Sequence, residues 1–78
     1  MRTYKRKRNT IQIKWIPTSI AFPEEYKYVL TSYHDKELDL REVNIAFYIN
    51  GKWCLNSGYE PQDYPINAWA ELPEPYKE

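Results

Sequence analysis

Seventy-eight residues are enough for one small domain and too few for two hydrophobic cores. A single cysteine, Cys54, excludes an intrachain disulfide, and the longest uninterrupted apolar run, residues 45–49, falls far short of a membrane span. The formal charge is zero but divided: residues 1–14 hold six bases and no acid, and residues 15–78 hold five bases and eleven acids, so a +6 arm precedes a −6 body.

In chain order, residues 1–10 have no periodicity and read as a flexible basic arm, leaving residues 11–78 as the domain. Ile11-Gln12-Ile13-Lys14-Trp15-Ile16 alternates, which predicts a first strand that Pro17 ends. The arm lacks the apolar core of a signal peptide because Gln12 and Lys14 interrupt the run, so a cytoplasmic location is expected. Residues 18–25 read as a crossing loop or a single helical turn. Residues 26–33 are rich in aromatic and β-branched side chains and predict a second strand, with Tyr26, Tyr28 and Leu30 on one face. Residues 34–42 are charged and read as an exposed connection, open to a short helix or a strand extension.

Asn50-Gly51 between two alternating runs is the strongest local signal in the chain. A type I′ turn needs positive φ at both central residues, and Asn-Gly supplies it. The implied register pairs Ile49 with Lys52, Tyr48 with Trp53, Phe47 with Cys54 and Ala46 with Leu55. One ribbon face then carries Val43, Ile45, Phe47 and Ile49, and the other Ala46, Tyr48, Trp53 and Leu55. Residues 56–65 are full of turn formers and read as a surface loop. Residues 66–70 predict a short last strand before a proline-rich tail containing Leu72-Pro73-Glu74-Pro75. The fold expected is mainly β, or small α+β: a single antiparallel sheet of four or five short strands around a central Asn-Gly hairpin.

Nucleophilic catalysis needs a nucleophile with a base in reach, and Cys54 with His34 is the only pair on offer. The register points Cys54 with Phe47 into an apolar face, where a thiol is inert. One His and one Cys are too few for a metal site, and neither glycine sits in a phosphate-cradling loop, so no enzyme activity, metal or cofactor is expected. Two binding readings remain. In the first, Tyr48 and Trp53, joined by Tyr59 and Tyr64 from the long loop, form an aromatic docking surface for a protein partner. In the alternative, Arg2, Lys5, Arg6, Lys7 and Arg8 contact nucleic-acid phosphate while Tyr4 stacks on a base, against the repulsion of the acidic body. A thin sheet with two apolar faces also predicts a homo-oligomer.

Trp15-Ile16, Pro23-Glu24, Val29-Leu30, Ala46-Phe47-Tyr48 with Gly51-Lys52-Trp53, and Trp69 followed by Leu72-Pro73-Glu74-Pro75 occur in that order. Over residues 14–76 this pattern resembles the small phage and prophage proteins of unknown function grouped as DUF551. Ala68 stands where that family has a histidine, so no role of the histidine carries over. The resemblance implies a phage or mobile-element origin and no particular activity. With the small size, it makes a bacterial host protein, a defence or regulatory factor, the expected partner.

Overall fold

A computed structural model describes residues 12–56 and 60–76. Among these residues five antiparallel strands form one sheet: β1 (Ile16–Pro17), β2 (Val29–Asp35), β3 (Leu40–Ile49), β4 (Lys52–Leu55) and β5 (Ile66–Ala70). The spatial order is β1-β5-β2-β3-β4. Strands β2, β3 and β4 form a meander, and the chain then returns to insert β5 between β1 and β2. No helix occurs among the described residues, so none is long and apolar enough to cross a membrane.

The hairpin register is the one the Asn-Gly turn implies, from Ile49↔Lys52 to Ala46↔Leu55. Asn50 and Gly51 have φ of 49° and 77°, both in the left-handed region a type I′ turn requires. The charged connection is shorter than expected, because β2 and β3 extend through it to the pair Asp35↔Leu40. Only residues 36–39 turn. The Asp35 carboxylate accepts hydrogen bonds from the Glu37 and Leu38 N–H groups at 3.0 and 3.1 Å, and Asp39 takes φ 51°. A side chain that binds the backbone two and three residues on closes such a turn without glycine.

The first strand is shorter than its alternation suggested. Among the described residues only Ile16 and Pro17 pair, with Trp69 and Ala68, and Ile13 and Trp15 are 46% and 37% exposed. Pro17 ends the strand as expected, as its last paired residue; an edge strand tolerates proline because the missing N–H belongs on the solvent side. Its carbonyl accepts from Ile20 and Ala21 N–H groups, which makes a single turn after β1. In β5 the register shifts between Ser32↔Ala68 and Tyr33↔Ile66, so Asn67 is an extra residue and both Ile66 and Trp69 reach the same face.

That face holds the core. Val29, Ala46, Trp53, Ile66 and Trp69 are buried together, with Ile16, Tyr33, Tyr48, Leu55 and Tyr64 packed against them. Two loops take the place of a second sheet. From residues 18–23, the Ala21 carbonyl accepts the Trp69 indole N–H at 2.9 Å and the Phe22 ring stacks on Tyr48. From the 60–65 segment, Tyr64 lies 6.5 Å from Tyr33, and Gln62 exchanges two backbone hydrogen bonds with Trp53 along the β4 edge. Thr31, wholly buried in this layer, turns its hydroxyl to the Asn44 carbonyl at 3.0 Å. The opposite sheet face is unevenly covered: Val43 is 60% and Ile45 37% exposed, whereas Ile49, Cys54 and Ala70 on the same face are buried.

Candidate functional site

The structure corrects the expectation that Tyr48 and Trp53 offer an open aromatic surface. Trp53 is 4% exposed and Tyr48 lies between the Trp53 and Phe22 rings, with centroids 5.1 and 4.5 Å away. The physical reason is non-local: the loop after β1 and the segment before β5 both close over this face. Tyr64 belongs to the same packed layer, half-buried against Tyr33. Tyr59 lies outside the described residues, as do Arg2, Tyr4, Lys5, Arg6, Lys7 and Arg8.

Cys54 is 8% exposed, and its Sγ is 3.8 Å from the Leu55 carbonyl oxygen. It pairs with Phe47 of β3, whereas His34 pairs with Arg41 of the same strand. At about 3.3 Å per residue the two side chains are roughly 20 Å apart along the sheet. They do not form a nucleophile–base pair. Among the described residues no three His, Cys, Asp or Glu side chains gather in a way that could hold a metal ion.

What the fold brings together is an aromatic cluster on the reverse side of the hairpin. Tyr26 and Tyr28 both pack on Phe47, with centroids 5.8 and 5.3 Å away; the Tyr28 ring meets Phe47 edge-on at 87°. The strand periodicity read from sequence put Tyr26 and Tyr28 on the Leu30 face, and the β2–β3 register, with Val29 opposite Ala46, brings Phe47 across from them. Tyr26 nonetheless precedes β2, because its φ is 65°. Its N–H donates to the Tyr48 carbonyl at 3.1 Å, and the neighbouring Glu25 carboxylate accepts the Asn50 N–H at 3.0 Å. These two bonds tie the loop to the end of β3 and the first residue of the turn.

A bulky residue in the left-handed region costs roughly 1–2 kcal/mol and persists only where its surroundings impose it. Here the imposed conformation places a tyrosine ring on the surface: Tyr26 is 70% exposed, Tyr28 47%. Phe22, 51% exposed, comes round the other side of the hairpin onto Tyr48. The loop of residues 22–28 therefore clasps the hairpin and presents Phe22, Tyr26 and Tyr28 around it.

Lys27 stands between the two tyrosines and pairs with Glu71 beyond the end of β5, Nζ to Oε1 2.8 Å. The hydrogen-bonded Glu71 carboxylate holds its ammonium above the ordinary lysine value, partly opposed by desolvation. This exposed pair fixes the approach of the loop to the tail rather than adding a reactive group. No protein-family model, curated protein or solved structure matches the chain.

Proposed function

We propose that the chain works by binding another protein, with the Tyr26–Tyr28–Phe47 corner as its docking surface, and not by catalysis. The observation that carries this reading is Tyr26 itself, held at φ 65° with most of its ring in solvent. A glycine would take that backbone at less cost, so a side chain kept there favours a role for the ring. Tyrosine suits such a role because it supplies contact area and a hydroxyl while having only two side-chain torsions to fix. Phe47 beneath restricts both rings in advance, which lowers the ordering cost on docking. The resemblance to small phage proteins makes a bacterial host factor the partner to look for.

The reading is tested by comparing retention of bacterial proteins on immobilised wild type and on Tyr26→Ala/Tyr28→Ala. Both side chains are exposed, so the double variant keeps the buried layer intact. A partner retained by the wild type and lost by the variant is the expected result; equal recovery of the same partner by both overturns the assignment.

A further inference from the structure

Where β1 and β5 part, the sheet forks around a cavity. The two strands pair only at Ile16↔Trp69 and Pro17↔Ala68. The same antiparallel register, continued, would set Lys14 opposite Glu71 and Ile13 opposite Leu72. Among the described residues no ladder pair joins those positions, and a cavity of about 600 Å³ opens between residues 12–14 and 70–73. Pro73, which has no N–H to give, stands where a continued ladder would run on. Leu30 of β2 also lines the cavity beside its partner Ala70, whose methyl leaves more room than any other apolar side chain along the wall. Ile13, Ile16, Leu72 and Pro73 complete an aliphatic lining. Small-molecule sites are concave, mostly apolar hollows of about 300–1,000 Å³ with a few polar groups that fix orientation.

The two charged residues that line this cavity, Lys14 and Glu71, are unequally matched. Glu71 is held from the β2 side, its carboxylate oxygens 2.8 and 2.9 Å from the Lys27 ammonium. Lys14, the residue a continued ladder would give it, has no ion pair or hydrogen bond among the described residues. A lysine lays its aliphatic stem along an apolar wall and keeps its ammonium in water. The fork therefore joins an apolar hollow to one uncompensated positive charge, the neighbouring negative charge being already neutralised.

We infer that the fork between β1 and β5 binds a small apolar carboxylic acid, of the class of medium-chain fatty acids, with its hydrocarbon chain in the cavity and its carboxylate at Lys14. Charge complementarity selects this occupant. A cationic amphiphile would meet Lys14 with no free carboxylate to receive it, and a neutral one would gain nothing from the ammonium. The aliphatic lining suits a hydrocarbon chain, whose burial is favourable in proportion to the apolar area removed from water. Tyr26, Tyr28 and Phe47 do not line the cavity, so acid binding and protein docking are separate claims.

The test is a methyl NMR titration of the full chain with decanoate, kept below the concentration at which it forms micelles. Saturable shifts are expected at the methyl groups of Ile13, Leu30, Ala70 and Leu72, with those of the exposed Val43 unmoved. From hexanoate to decanoate each added methylene should tighten binding by up to about fourfold. Decanol, with the same chain and no charge, should bind about fivefold more weakly than decanoate. Lys14→Met, a change at an exposed position that keeps an unbranched side chain, should erase that preference while leaving decanol binding as in the wild type. Shifts that never saturate or that spread equally to Val43, equal affinity of the wild type for decanoate and decanol, or an undiminished preference in Lys14→Met overturns the proposal.

Discussion

Phe22 lies flat on Tyr48, ring centroids 4.5 Å apart and planes within 10°, and Tyr48 in turn meets Trp53 at 5.1 Å. The stack joins a loop near the start of the chain to both strands of the Asn-Gly hairpin. Its members differ in burial, Trp53 at 4% and Phe22 at 51% exposed, and stability should follow that difference. Trp53→Ala is expected to cost about 3–5 kcal/mol, a large share of what a small domain has. Phe22→Ala removes a half-exposed ring and should cost about 1 kcal/mol. Urea unfolding of the two variants checks the order; equal losses would mean that Trp53 is not in the core.

The turn at Gly51 depends on backbone conformation and not on space. A Cβ built there meets only the Tyr48 hydroxyl, at 4.0 Å, while φ is 77°. Gly51→Ala should therefore cost about 1–2 kcal/mol through the left-handed conformation alone. Chemical denaturation measures it, and a loss within error of zero would show that the turn is not type I′.

Tyr26 gives the complementary test. Tyr26→Gly and Tyr26→Ala both remove the contact with Phe47, but only glycine relieves the strain at φ 65°. The glycine variant should be the more stable of the two by about 1 kcal/mol. Equal stabilities, or a more stable alanine variant, would contradict the left-handed conformation.

The Lys27–Glu71 pair predicts a pH dependence of known sign. Because Glu71 raises the folded-state value of Lys27, the pair's contribution is complete below the unfolded lysine value and is lost as pH rises through the folded one. At neutral pH the wild type should be slightly more stable than Glu71→Gln, and the two melting curves should converge in strongly alkaline solution. The difference should also shrink with added salt, since both side chains are exposed. A difference that grows above the lysine range would refute the pairing.

Local chemistry made much of the fold legible. Asn50-Gly51 alone set the register of four residue pairs, and the short run at residues 66–70, between turn formers and the proline-rich tail, located β5. The β2–β3 turn was harder, because Asp35 and Asp39 perform there what Asn-Gly announces elsewhere. The covered face could not be read from the ribbon. Ala46, Tyr48, Trp53 and Leu55 are as apolar as Val43, Ile45, Phe47 and Ile49, and the choice between them is made by Phe22, Ala21 and Tyr64, which are distant in sequence. The same non-local event moved the candidate site from Tyr48 and Trp53 to Tyr26 and Tyr28.

A partner docked on the tyrosine corner is best detected by contact at that corner directly. A photo-crosslinking phenylalanine analogue introduced at position 26, at position 28 or, as a reference, at position 38 is irradiated in bacterial cells. Leu38 is as exposed as Tyr26, at 73% against 70%, but sits on the β2–β3 turn at the other end of the sheet. One crosslinked cellular protein, shared by positions 26 and 28 and absent at 38, is the expected result. No adduct at either tyrosine position, or the same adduct with equal yield at all three, would contradict it.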